Sequence, residues 1–282
     1  MAQNRRSFLR SLAGVAGALA ARDASAVTLP IRPQSEPPGV QLYTIRGELQ
    51  RDLPGTLARV AEIGYREVEF AGYFGRSPAQ IHELLEANRL RAPSTHIAYE
   101  QLNTGWDAVL SSAREIGHRF VTIPSLPGAE RASVAGLKRI AAAFNRGGAE
   151  AKTAGLRFAF HNHNVEFVPV EGVVPFSLLI EETDPELVTF QLDVYWAFRA
   201  GHDPIALLDA HPRRFTMLHL KDSAGPPEHR MVDVGAGVID FAALLTKSRE
   251  AGLLHFFVEH DRPDDALASI RNSFAHLTSL KR

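Results

Sequence analysis

Glu115-Ile116-Gly117-His118-Arg119-Phe120-Val121-Thr122-Ile123 reads as a helix end, a glycine turn and a short buried strand. Glycine leaves a helix in a left-handed conformation that other residues resist, and the apolar run behind it is too short for a helix. The phrase returns at Glu62-Ile63-Gly64-Tyr65, Lys152-Thr153-Ala154-Gly155-Leu156 and Glu250-Ala251-Gly252-Leu253. Working outward from these joints, strands are expected at residues 40–45, 67–70, 91–97, 120–123, 157–162, 188–194, 216–220 and 256–259. Helical spacing fills 53–63, 78–88, 106–116, 134–154, 176–182, 205–210, 241–250 and 265–279, with Asp52 and Asp240 placed as N-caps.

Strands that alternate with helices build a mainly parallel sheet. Eight such units within residues 39–282 match the size of an α/β fold of the (β/α)8 TIM barrel type. The competing architecture, an open doubly wound sheet, normally carries a glycine-rich loop after its first strand. Tyr43-Thr44-Ile45-Arg46-Gly47-Glu48 lacks that signature.

Composition narrows the chemistry. The chain has 282 residues, with 31 Lys+Arg against 32 Asp+Glu, so no basic excess points to nucleic acid. There is no cysteine, which excludes disulfides, thiolate metal sites and cysteine nucleophiles. Any transition-metal site must draw on the 12 histidines and the carboxylates. Asn4-Arg5-Arg6-Ser7-Phe8-Leu9-Arg10, the Ala/Gly-rich run to Ala21 and Ala24-Ser25-Ala26 read as a cleavable twin-arginine export signal over residues 1–26. Four prolines make residues 27–38 a linker. The expectation is a periplasmic protein that meets the twin-arginine export machinery, with no membrane segment in its mature form.

The active end of such a barrel is the C-terminal end of its strands. Polar residues gather there. Strand five closes on His161-Asn162-His163-Asn164-Val165-Glu166, strand six on Gln191-Leu192-Asp193-Val194-Tyr195-Trp196, strand seven on His219-Leu220-Lys221-Asp222, and strand eight on Glu259-His260-Asp261. Alternation along a strand turns His161 and His163 to one side, groups Gln191, Asp193 and Tyr195, and groups His219 with Lys221. Phe158 and Phe160 are expected to face the helices. His161, Asp193, His219 and Glu259 then form a mixed nitrogen and oxygen set, suited to Mn²⁺, Zn²⁺, Co²⁺ or Fe²⁺ more than to Mg²⁺. Lys221, His163, Glu166 and His96 are the candidate acid/base groups. A cationic neighbour and partial burial would lower the Lys221 pKa; pairing with Asp261 is the alternative. Tyr43, Glu69, Trp196 and Gln41 are candidate substrate contacts, with Glu69 alternatively paired to Arg46.

These motifs, together with Tyr43-Thr44-Ile45-Arg46, resemble the sugar phosphate isomerase/epimerase family, the xylose isomerase-like TIM barrels. The resemblance spans most of the chain from Gly39 on. It implies a divalent metal held at strands five to eight by Glu, Asp, His and Glu, a pattern that Asp193, His219 and Glu259 match. His161 stands where the family has its strand-five Glu, as in a His-Asn-His subgroup common among secreted proteins. The implied activity is isomerisation or epimerisation of a carbohydrate or polyol through an enediolate, and the export signal disfavours phosphorylated sugars. Elimination or hydrolysis of keto-sugar glycosides is the neighbouring reaction, and a periplasmic carbohydrate-binding barrel without turnover is the reading from another class. Cleavage of DNA phosphodiesters, borrowed from distant barrel relatives, runs against the charge balance.

Overall fold

The structure, a computed structural model, describes residues 37–280. The export signal and all but the last two residues of the linker lie outside the described residues. Eight parallel strands close into a barrel: β1 (Gly39–Gln41), β2 (Glu67–Phe70), β3 (Arg91–His96), β4 (Phe120–Ile123), β5 (Arg157–His161), β6 (Val188–Asp193), β7 (Phe215–Leu220) and β10 (His255–Val258). β8 (Asp222–Ser223) and β9 (Met231–Val232) pair antiparallel in the loop between β7 and β10. β1 hydrogen-bonds to both β10 and β2, so the barrel has no free edge.

The glycine joints behave as their residue type requires. Gly117 leaves its helix at φ 97° and Gly155 at φ 78°. Asp52 and Asp240 cap their helices, accepting hydrogen bonds from the N–H groups of Gly55 and Ala243. Phe158 and Phe160 do face outward, each packing on Phe144 of the helix Val134–Thr153 with ring centroids 5.1 and 5.3 Å apart. Burial of each such side chain contributes roughly 1.5–3 kcal/mol. At the opposite end of the barrel His255 Nδ1 lies 2.9 Å from Glu67 Oε2, a pair set among strand starts and distant from the catalytic face.

Several expected strands end short, and two of those ends matter for the site. The first was expected to run through 45. Gln41 Oε1 accepts the Tyr43 N–H at 3.1 Å and turns the chain into a 3-10 helix, Leu42–Ile45. Tyr43 therefore leaves the inward face it was expected to share with Gln41; it is 42% exposed, with the Arg46 guanidinium 3.9 Å over its ring. The sixth strand stops at Asp193, whose Oδ1 accepts the Trp196 N–H and starts the helix Val194–Arg199. Tyr195 and Trp196 thus sit on a helical turn, and strand alternation no longer aims them. Tyr195 instead donates its hydroxyl to the His229 carbonyl at 2.7 Å.

The segment after β7 is tied to one carboxylate. Asp222 is buried and accepts the N–H groups of Gly235, Gly237 and Ile239. A Cβ on Gly237 would collide with the Asp222 carboxylate. The same segment brings Met231 Sδ within 3.2 Å of the Asp261 N–H.

Candidate active site

Parallel register sets the site at the strand ends. Gln41 pairs with Glu69, His161 with Gln191 and Asp193 with His219. The β6/β7 register slips between Phe190 and Gln191, an irregularity of the kind that re-aims side chains beside active sites. Glu69, Gln191, Asp193 and His219 are fully buried, and His161, Lys221 and Glu259 nearly so.

His219 is the hub. Its Nε2 lies 2.5 Å from Glu69 Oε2, and its Nδ1 lies 2.6 Å from Glu259 Oε2. Burial opposes a charged imidazole, but Glu69 and Glu259 raise its pKa to about 10. The carboxylates respond in kind. Burial disfavours their ionisation, yet His96 and His219 pull Glu69 well below its ordinary range, and Lys221 and His219 do the same for Glu259. Burial dominates at Asp193, which rises to about 6 despite Lys221 and His219.

Lys221 corrects the expected sign. Its Nζ lies 2.7 Å from Asp261 Oδ1, 2.9 Å from Glu259 Oε2 and 3.1 Å from Asp193 Oδ2. Burial lowers an ammonium pKa, but these three carboxylates raise it well above the ordinary lysine value. Lys221 is a fixed cation and a hydrogen-bond donor, with Asp261 as partner. Among the candidate acid/base groups, His163 is the one held neutral. It is half-buried, 5.6 Å from the Trp196 ring, and burial together with Lys221 brings its pKa down to about 4. A neutral imidazole at the mouth can accept a proton at neutral pH.

The remaining candidates are placed as follows. Trp196 is half-buried, its ring centroid 5.9 Å from Lys221 Nζ, and its indole N–H has no hydrogen-bond partner. His96 points its Nε2 at Gln191 Oε1 (2.9 Å) and Glu69 Oε2 (3.3 Å). Gln41 and Glu69 are sealed beneath the imidazoles and bonded to each other at 2.8 Å, so they support the site from below. Arg46 does not pair with Glu69; it donates to the carbonyls of Tyr43 and Asp261. Glu166 is buried, and its Oε2 accepts the His163 N–H at 2.7 Å, which anchors that turn.

Burial raises the Glu166 pKa to about 7, against the bond from His163. The unfolded chain then releases this proton at lower pH than the folded one, so stability falls as pH rises from about 4.5 to about 7. Glu166→Gln cannot titrate there. Its stability relative to the wild type is expected to improve by up to about 3 kcal/mol across that window, as read from urea unfolding at pH 4.5 and 7.5. A pH-independent difference would show that Glu166 titrates normally.

Three contributors were absent from the candidate set. Gln191 donates to Glu69 Oε1 at 2.9 Å and accepts from His161 Nδ1 at 3.1 Å. Asn162 brackets the Asp193 main chain: its Oδ1 accepts the Asp193 N–H at 3.0 Å and its Nδ2 donates to the Asp193 carbonyl at 3.4 Å. Asp261 entered only as a partner for Lys221. Alternation already put Gln191 on the Asp193 face, which was the available signal; Asn162 left none.

Among the described residues, two groups converge closely enough to hold an ion: Asp193, His219 and Glu259; and His96, His161 and His219, each with donor atoms within 4.8 Å of one another. His161 Nε2 links them, 3.6 Å from Asp193 Oδ2. Asp193 Oδ2 is buried and accepts no hydrogen bond; Lys221 is at ion-pair distance but off any hydrogen-bonding direction. The donor set of imidazole and carboxylate fits a divalent transition ion.

A family profile described as xylose isomerase-like TIM barrel matches residues 57–280. Inosose dehydratase of Geobacillus kaustophilus is 23% identical over 205 residues, covering 61% of this chain and 65% of that protein, so the chain spans just under two thirds of its length. A sugar phosphate isomerase/epimerase from Parabacteroides distasonis superposes with a TM-score of 0.77 at 27% identity, covering 90% of this chain and 96% of the other. The IolI protein solved with a zinc atom shares the fold at a TM-score of 0.67 and 15% identity, covering 86% and 98%.

Proposed function

We propose that this chain, which belongs to the xylose isomerase-like TIM barrel family, is a divalent-metal-dependent isomerase or epimerase of a non-phosphorylated carbohydrate or polyol. The observation that carries the reading is the buried convergence of Asp193, His219 and Glu259, with donor atoms within 4.8 Å of one another. His161, Asp193, His219 and Glu259 would hold the ion. Bound there, it supplies Lewis-acid stabilisation for negative charge developing on a substrate carbonyl oxygen.

The chain's own groups account for the proton. His163, neutral at the mouth, takes it from the carbon beside the carbonyl; the proton then goes either from His163 to the neighbouring carbon or, from a second donor on the opposite face, to the same carbon. The first route isomerises and the second epimerises. The Lys221 ammonium, held by Asp193, Glu259 and Asp261, offers a hydrogen-bond donor to the developing oxyanion. The Trp196 ring offers an apolar face to a sugar, and its free indole N–H suits a hydroxyl. The expected export signal supports action in the periplasm on unphosphorylated sugars.

A dehydratase among the relatives favours elimination as the second reading, because loss of water from a keto-sugar opens with the same proton removal. Incubation of the Mn²⁺-loaded protein with keto-sugars in D₂O tests both. Deuterium at the carbon beside the carbonyl, with a rearranged sugar as product, is the expected result. Uptake with an unsaturated product would assign elimination. Tight sugar binding without any uptake would make the barrel a binding protein.

A further inference from the structure

We propose that Glu69 and Gln191 form a polarity relay at the barrel centre that sets which ring nitrogen of His161 carries the proton, and hence which is left to meet a cation. The relay rests on the reading of this site as a metal centre. It starts from the main chain. The Tyr43 N–H donates to Gln41 Oε1, so the Gln41 amide nitrogen faces Glu69 Oε2 and donates to it at 2.8 Å. Glu69 Oε1 accepts from Gln191 Nε2 at 2.9 Å. An ionised carboxylate only accepts, so the Gln191 amide has one usable orientation, with its oxygen turned away from Glu69.

That oxygen receives His161 Nδ1 at 3.1 Å and His96 Nε2 at 2.9 Å. An amide oxygen only accepts, so both ring nitrogens carry protons. His161 is thereby held as the Nδ1–H tautomer, and its Nε2 lone pair is the one on the side of Asp193 Oδ2, 3.6 Å away. His219 is set by the other carboxylate oxygen. Its Nε2 donates to Glu69 Oε2 and its Nδ1 to Glu259 Oε2, so both of its ring nitrogens carry protons in the metal-free protein. His161 thus presents an unprotonated nitrogen toward Asp193, and the buried Glu69 orients both imidazoles. Partners of this kind hold metal-binding imidazoles in tautomer and direction.

The relay depends on polarity, so exchanging the two side chains tests it. In Glu69→Gln the new amide nitrogen opposes Gln191 Nε2. Relief comes by turning Gln191 over, which aims its NH₂ at His161 Nδ1 and drives the proton to Nε2, into the cation's place. Gln191→Glu sets one carboxylate against another. In Glu69→Gln/Gln191→Glu the amide nitrogen at position 69 donates to the carboxylate at position 191. That carboxylate accepts from His161 and His96, and the amide oxygen at 69 accepts from Gln41 and His219.

Ring ¹⁵N shifts of ¹⁵N-histidine-labelled, metal-free protein report the tautomer, and competition with a chromophoric chelator reports Zn²⁺ affinity. The wild type is expected to show His161 as Nδ1–H. Glu69→Gln is expected to show Nε2–H. Each single variant is expected to bind Zn²⁺ about 10–100-fold more weakly, as loss of such partners typically does, and the double variant to recover tautomer and most of the affinity. Glu69→Gln keeping His161 as Nδ1–H, or a folded double variant no better than the singles, would overturn the relay. If a single variant fails to fold, the double variant against the wild type still decides: a shared tautomer supports the relay, and a changed one overturns it. Wild type that shows Nδ1–H yet takes up no Zn²⁺ would overturn the metal reading and leave the relay standing. Wild type that binds Zn²⁺ with His161 as Nε2–H when metal-free would do the reverse.

Discussion

Asp193→Ala is expected to yield a folded barrel without stoichiometric metal and with turnover reduced about 10³-fold or more, since Lewis-acid stabilisation of several kcal/mol is lost with the ion. The fold should survive for a specific reason. Asp193 stabilises the helix Val194–Arg199 through one cap bond to Trp196, and loss of such a cap costs about 1 kcal/mol. Its removal leaves no cation stranded, because Lys221 keeps Glu259 and Asp261. The Asn162 clamp acts on the Asp193 main chain and persists in the alanine variant. Circular dichroism, elemental analysis after dialysis and steady-state kinetics read the three parts separately. Full metal content in the variant would remove Asp193 from the ligand set.

Lys221→Met is expected to separate stability from metal binding. Three carboxylates share this one ammonium, which is itself buried. Breaking a buried pair by removing one partner costs about 3–5 kcal/mol. For a domain of this size that lowers the melting temperature of the metal-free protein by about 10 °C. A divalent cation adds positive charge to the same cluster, so Mn²⁺ is expected to raise the melting temperature further in the variant than in the wild type. The kcat is expected to fall by about 10²–10⁴-fold if the Lys221 donor serves the developing oxyanion. An unchanged melting temperature with and without Mn²⁺ would contradict the charge account, and an unchanged kcat would confine Lys221 to structure.

The fold was legible because its signals are local and repeated. Gly117 and Gly155 mark turns whose backbone demands glycine, and the intervening apolar runs are strand-length. Asp193, His219 and Glu259 were legible for a related reason: in parallel strands of matching register, polar residues at successive ends meet at one mouth. Legibility failed where a side chain bends the main chain. Gln41 accepting the Tyr43 N–H and Asp193 accepting the Trp196 N–H each end a strand, and alternation could not carry Tyr43, Tyr195 or Trp196 past those points. It failed again at Lys221, where the sign of the shift depends on Glu259 and Asp261, distant in sequence and brought close only by barrel closure. Glu69 and Gln191 show the same limit. They lie 122 residues apart, on β2 and β6, and their bond crosses the barrel interior between strands that are not neighbours.

Anomalous diffraction from crystals of the mature protein grown with Mn²⁺ or Zn²⁺ addresses the metal site most directly. One peak per chain is expected, about 2.0–2.3 Å from His161 Nε2, His219 Nδ1 and carboxylate oxygens of Asp193 and Glu259. A peak bound elsewhere, or none at saturating metal with Lys221 still bridging Asp193 and Glu259, would contradict the account.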